Sequence, residues 1–256
     1  MKKDVVRGVV IRSVPVKNSD LMLTVYTHER GIMSIYARGA RKLEKGSSST
    51  SELAYSEFSI TERGDKIWAS EVSTIRYFEC DMRNFEAFSL NFYLAELYEH
   101  IATAEPDEDL MRLLLNTLYA SSSGRYNPYL VKAAFEMRLL ATLGYMPHLS
   151  GCIGCGVSGG ELYFDVMTGS LRCHECTDDV DDGDGTPRPT VIITEGARIA
   201  LEYATVCPME KLFSFTLSGE DLDTFSRAAE SYLLNQLERD FAALDYFRNI
   251  DRLNKI

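Results

Sequence analysis

Cys152-Ile153-Gly154-Cys155 and Cys173-His174-Glu175-Cys176 are separated by seventeen residues. At that spacing two tight turns can bring four thiolates onto one ion. Each Cys-x-x-Cys folds back so that both sulfurs face a single point, and Gly154 and Gly156 relieve the tight backbone. Four sulfurs at about 2.3 Å complete a tetrahedron and leave no position for water or substrate, so the pattern predicts one structural zinc per chain. Metal binding in such modules supplies roughly 10 to 16 kcal/mol of apparent folding free energy, enough to order a segment with little core of its own. The alternatives are a redox dithiol, an iron-sulfur cluster, and a zinc site in which His174 replaces one thiolate. Redox motifs normally carry one pair beside a β-α-β unit, and cluster spacings differ.

The other chemistry-bearing residues do not form catalytic patterns. Cys80 and Cys207 have no pairing spacing and read as buried free thiols. His28, His100 and His148 stand alone, and the chain contains no His-Glu-x-x-His and no Walker loop. The expectation is a protein that catalyses no covalent step. The run from Asp178 to Gly185 holds five aspartates but no calcium-loop register, so it reads as a solvated acidic linker.

The net charge is −11, yet residues 1–50 carry ten basic against four acidic side chains, while the remainder carries 17 against 34. Such asymmetry fits a polyanion-binding module joined to an acidic body that meets protein partners. The basic residues nearest the expected hairpin are Arg38, Arg41, Lys42 and Lys45. They are the expected contacts to DNA phosphates, which carry no base information.

These residues need elements to position them. Five short strands with period-two patterning are expected at Asp4–Val14, Asp20–His28, Ile32–Gly39, Ala54–Thr61 and Lys66–Tyr77, with the Ser47–Ser51 tract a mobile loop. Five strands in so short a span suit a barrel of the OB type, with an SH3-like barrel the nearest competitor. In the second hairpin, a three-residue loop of Glu29, Arg30 and Gly31 sets His28 opposite Ile32 and Tyr26 opposite Ser34. Thr24, Tyr26, Ser34, Tyr36 and Arg38 then share one face, and Leu23, Val25, Met33 and Ile35 the other. The second set is core. The first presents Tyr26 and Tyr36 for stacking bases, or else as amphipathic cover of the sheet.

From Asp81 the period changes to 3.6. Phe85, Phe88, Phe92, Leu94, Leu97 and Tyr98 form one apolar stripe, and Leu110, Leu113, Leu114, Thr117 and Leu118 a second. A third helix has Asn127 as N-cap, Pro128 at its first position and Gly144 past its end. Thr194 is expected to cap a helix through Tyr203, and Ser218-x-x-Asp221 another through Leu237. The fold class is therefore α+β: an N-terminal OB-fold β-barrel over residues 1–80, then an α-helical domain over 81–256 with a four-cysteine zinc finger inserted at about 148–180. With 45% hydrophobic content the chain has apolar side chains for a real core. No apolar run approaches the roughly 20 residues of a membrane span, and the start lacks the apolar stretch of a signal peptide. The expected location is the cytoplasm, where thiols stay reduced.

Ser19-Asp20-Leu21, Thr24, Thr27, Glu29, Gly31 and Ala37-Arg38-Gly39-Ala40-Arg41 at the front carry a likeness that extends over nearly the whole chain. It continues in Phe135-Glu136, Arg138-Leu139-Leu140, Leu143-Gly144-Tyr145, Pro147, Cys152-x-x-Cys155-Gly156, Phe164-Asp165, Gly169, Leu171, Cys173-x-x-Cys176 and Leu244-Asp245-Tyr246-Phe247. With these residues the chain resembles the bacterial recombination mediator family RecO. The resemblance implies an N-terminal OB domain, a helical bundle and an inserted zinc finger. It also implies binding of single- and double-stranded DNA, annealing of complementary strands, a nucleoid-associated location, and cooperation with RecR, single-stranded DNA-binding protein and, indirectly, RecA. A zinc-stabilised adaptor that binds only proteins, and a hydrolase using the zinc, are the competing readings.

Overall fold

The computed structural model describes residues 3–16, 19–40, 47–78, 84–177 and 188–254. In chain order these form β1 (Lys3–Pro15), β2 (Leu21–Thr27), β3 (Gly31–Ala37), α1 (Ser47–Thr50), β4 (Ala54–Arg63), β5 (Lys66–Tyr77), α2 (Phe85–Ile101) and α3 (Glu108–Ser122). There follow α4 (Pro128–Thr142), β6 (His148–Cys152), β7 (Leu162–Asp165), β8 (Ser170–Cys173), α5 (His174–Thr177) and β9 (Thr190–Ile193). The chain ends with α6 (Glu195–Val206), α7 (Gly219–Leu237) and α8 (Ala242–Asn254). Two compact units result, one of residues 1–124 with 241–256 and one of residues 125–240.

In the first unit the strands close in the order β1-β2-β3-β5-β4, with β1 pairing antiparallel to both β2 and β4 and β3 running parallel to β5. The interior holds Val6, Val10, Leu21, Leu23, Val25, Ile35, Ala37, Phe58 and Ile60, with Met33 packed against them. The core face expected for the β2–β3 hairpin is thus the one observed. Its register differs by two residues: Thr24 opposes Ser34 and Tyr26 opposes Ile32, so the loop is His28-Glu29-Arg30 and Thr27 faces Gly31. The Thr27 hydroxyl explains the tighter closure, because it donates to Gly31 O at 2.8 Å and accepts from Arg30 N at 3.1 Å. Part of the serine tract expected as a mobile loop forms α1, where the Ser49 carbonyl accepts the buried Ser56 hydroxyl at 2.8 Å.

Helix α2 is apolar on more than one side, and its buried residues include Ala87, Leu90, Tyr93, Leu94, Leu97 and Tyr98. Phe85, Phe88 and Phe92, expected in the core stripe, are instead exposed. Asp107 caps α3 through Leu110 N at 2.9 Å, and Tyr98 donates to the Leu110 carbonyl at 2.7 Å. Gly31 meets the segment between these helices: Ile32 N donates to Thr103 O at 2.8 Å, and a Cβ on Gly31 would lie 2.2 Å from that oxygen. Gly31 also has φ +59°, where side chains are strained.

In the second unit the sheet order is β6-β8-β7-β9, with β6 parallel to β8. Helix α4 begins as its sequence predicts, with Asn127 accepting from Tyr129 N at 2.9 Å and Pro128 in the first turn. Thr194 caps α6 through Ala197 N at 3.2 Å. Ser218 precedes α7 but its hydroxyl makes no capping hydrogen bond, so the expected capping box does not form. Between α4 and α7, the buried Lys132 ammonium contacts Glu136 at 2.8 Å and Glu230 at 2.6 Å. No helix among the described residues is long and apolar enough to cross a membrane.

Two stability outcomes follow from these packings. Gly31→Ala is expected to cost at least about 1–3 kcal/mol, because both its dihedral and its neighbour oppose a methyl group. Urea unfolding should show a lower midpoint at unchanged slope. Lys132→Met should cost about 3–5 kcal/mol by leaving two carboxylates without their buried cation. The triple change Lys132→Met, Glu136→Leu, Glu230→Leu should recover most of that loss in the same measurement.

Candidate functional site

The four paired cysteines converge. Cys152 ends β6, Cys173 ends β8, Cys155 lies in the turn after β6, and Cys176 lies in the single turn of α5. Their sulfurs lie within 4.8 Å of one another. Backbone bonds shape the first turn: Cys152 N donates to Val157 O and Gly156 N to Cys152 O, both at 2.8 Å, with Gly156 at φ +78°. Ile153 N donates to Leu171 O at 2.8 Å and fastens that turn to β8. On the second turn the Thr177 hydroxyl donates to Cys173 O at 2.8 Å.

Three observations test whether this set fits a metal. Cys155 Sγ and Cys173 Sγ are 3.6 Å apart, close to the roughly 3.8 Å edge of a tetrahedron with metal–sulfur bonds of about 2.3 Å. A Cβ on Gly154 would lie 2.9 Å from Cys176 Sγ, so the turn is open only because that residue is glycine. The thiols also oppose one another electrostatically. Burial raises the Cys152 thiol, but the backbone around Cys173, Cys155 and Gly154 outweighs it and brings it down to about 6. The sulfurs of Cys173, Cys152 and Cys155 push Cys176 up to about 12. A divalent cation removes this conflict by replacing shared protons with one central charge. The residues present therefore fit a four-thiolate metal. His174 is not among the grouped ligands; its ring lies 6.4 Å from that of Tyr163. Cys207 is a buried free thiol beside Arg138, as its isolation in sequence predicts, and Cys80 lies outside the described residues.

The nucleic-acid residues read from the sequence fare unevenly. Tyr36 lies on the outer face of β3, with its hydroxyl donating to Asp20 Oδ2 at 2.6 Å. Arg38 follows β3 and is exposed, its guanidinium 5.0 Å from the centre of the Trp68 ring. Tyr26 is not available for stacking. It is fully buried, its ring 5.4 Å from that of Tyr98, its hydroxyl donating to Asp107 O at 3.2 Å, and burial pushes its phenol up to about 12. Tyr26 shares a sheet face with Tyr36, but the α2–α3 segment covers its end of that face. Arg41, Lys42 and Lys45 lie outside the described residues.

Trp68 is a residue that strand patterning alone does not single out. It is paired with Tyr36 through the parallel contact of β3 and β5, and the two rings lie 4.2 Å apart at 63°. A signal is present: Trp68 is the single tryptophan of the chain and falls out of phase with Ile67 and Ala69, which face the core. The basic surplus of the first fifty residues is also partly spent internally. Arg7 pairs with Glu29 at 3.3 Å, Arg12 with Glu99 at 2.9 Å, and Arg30 with Asp4 at 2.7 Å and with Glu62.

The metal reading has a direct check. Purified protein is expected to contain one metal ion per chain by elemental analysis. Cys173→Ser should lose it and lower the melting temperature, because three thiolates leave an incomplete shell. A metal-free protein as stable as the loaded one would overturn the site.

A family model described as Recombination protein O N terminal matches residues 1–78, and one described as Recombination protein O C terminal matches residues 82–245. The DNA repair protein RecO of Acetivibrio thermocellus is 30% identical over 250 residues, 96% of each chain. That of Caldicellulosiruptor saccharolyticus is 26% identical over 247 residues, 95% of this chain and 97% of the relative. That of Anaeromyxobacter sp. strain K is 32% identical over 200 residues, 76% of each chain. Together the two models take in the five-stranded barrel, helices α2 to α7 and the four-cysteine centre, and the chain belongs to the Recombination protein O family.

Proposed function

We propose that this chain is a non-enzymatic mediator of DNA repair by homologous recombination. It binds single- and double-stranded DNA, anneals complementary strands and, with RecR, helps load RecA onto strands coated by single-stranded DNA-binding protein. The observation that supports this most is the family match over both halves of the chain. In this reading the barrel is of the OB type, and Arg38, with Arg41, Lys42 and Lys45 just beyond it, holds phosphates beside Tyr36. The four thiolates hold zinc, which fixes the β6–β8 module and takes no part in chemistry. The chain works in the cytoplasm at the nucleoid.

Mediation has a physical logic. Coated strands hide their bases, so a mediator must touch both the coat and the strand. A basic barrel serves the strand, while an acidic remainder avoids it and leaves surface for protein partners. Contact with the coat raises the local concentration of the barrel, so modest DNA affinity suffices. The ion pairing of Arg7, Arg12 and Arg30 favours modest affinity over tight binding.

Annealing of complementary strands coated with single-stranded DNA-binding protein tests this reading. It should proceed with the full chain and without a nucleotide cofactor. Arg41→Ala with Lys42→Ala should reduce the slope of log affinity against log salt by about 0.7 per lost contact on single strands. Failure to anneal, together with unchanged binding to RecR, would favour the competing reading of a zinc-stabilised adaptor that binds only proteins.

A further inference from the structure

The outer surface where β3 meets β5 carries one arrangement that the general reading does not use. Trp68 lies between Ile67 and Ala69, which pack on the barrel interior, so its indole is directed outward. It is partly exposed. Tyr36 meets it at 4.2 Å and 63°, which orients the indole from one side. Arg38 lies over the ring at 5.0 Å. One carboxylate organises the group: Asp20 Oδ2 accepts from the Tyr36 hydroxyl at 2.6 Å, and Asp20 Oδ1 from Gly39 N at 2.8 Å, in the turn that carries Arg38.

We propose that Trp68 is the platform on which this chain stacks an unpaired base, with Arg38 as the group the base displaces and the cation that then takes the adjoining phosphate. The proposal rests on the DNA-binding reading above and adds a residue and a discrimination to it. A guanidinium over an exposed indole is a weak contact in water. A nucleobase covers the ring more fully, and stacking accepts any base because each has a π face. The displaced guanidinium moves toward a phosphate oxygen, its stronger partner. Both groups therefore gain when one nucleotide enters.

The same geometry separates unpaired from paired strands. In a duplex the faces of each base are covered by its neighbours, so the indole has nothing to stack upon, while phosphates remain available to cations. Trp68 should therefore contribute to single-strand binding and leave duplex binding to Arg38 and its basic neighbours. Asp20 and Tyr36 are positioning residues, since they hold the turn and the indole without meeting the base.

Because Trp68 is the only tryptophan, indole emission reports this one position in the unaltered full-length protein. Labelled oligothymidine and a duplex of equal length are titrated, and anisotropy of the label and indole emission are read on the same samples. Saturable quenching that tracks the anisotropy is expected with oligothymidine, and binding with little quenching with the duplex. Trp68→Phe should hold single-strand affinity within a few-fold. Trp68→Ala should lower it about 5- to 150-fold, equivalent to about 1–3 kcal/mol, and leave duplex affinity within about twofold. Oligothymidine binding without quenching, or quenching equal with both ligands, overturns the platform and leaves DNA binding intact. No anisotropy change with either ligand overturns both readings. Circular dichroism of Trp68→Ala checks its fold, and if it fails to fold the quenching of the wild type decides.

Discussion

The first unit depends on a two-residue overlap in β1. Residues 3–9 of that strand pair with β4 and residues 8–15 with β2, so Gly8 and Val9 alone carry ladders on both sides. The crossing requires close approach, since a Cβ on Gly8 would lie 2.3 Å from Tyr26 O. Closure there fixes where β2 and β3 run and hence which residues leave the barrel surface. Tyr36 and Arg38 emerge at one end of the hairpin and Gly31 abuts Thr103 at the other. A hydrophobic interior that packs from every wall follows from the same closure.

The second unit relies on a different kind of constraint. Its sheet is made of strands four or five residues long, too short to be stable alone. The cysteine turns sit at the ends of β6 and β8, where the sheet would otherwise fray. An ion shared by the four thiolates would do there what a longer strand or a larger core does elsewhere, since Cys152 and Cys173 end their strands and Cys155 and Cys176 follow within three residues.

Legibility followed the range of the interaction responsible. The two Cys-x-x-Cys turns are local, and their spacing alone pointed to the convergence that the β6–β8 pairing completes. The start of α4 was equally local, since Asn127 and Pro128 act within a few residues. Strand alternation identified the core face of the hairpin but not its register, which Thr27 decides through its own side chain. The burial of Tyr26 was not legible, because Tyr98 and Asp107 lie more than seventy residues further along the chain. Phe85, Phe88 and Phe92 misled for a related reason: a helix apolar on several sides carries no periodic instruction about which side to bury. Trp68 was missed because the parallel pairing of β3 with β5 brings distant segments together with no hairpin to announce it.

The final helix has a consequence for how the molecule is made. Glu96 of α2 accepts from the amides of Ala242 and Ala243 at 3.1 and 2.8 Å, and Leu244 and Phe247 are buried in the same unit as the barrel. The first unit is thus assembled from residues 1–124 and 241–256, two stretches separated in the chain by the whole four-cysteine unit. On the ribosome the barrel strands emerge before α8, so Tyr93 of α2 meets the Phe241 ring only after the whole four-cysteine unit has been made. The four-cysteine unit, contiguous in the chain, has all its residues beforehand. The order of synthesis and the order of completion are therefore different: the middle of this protein can be finished before its beginning is.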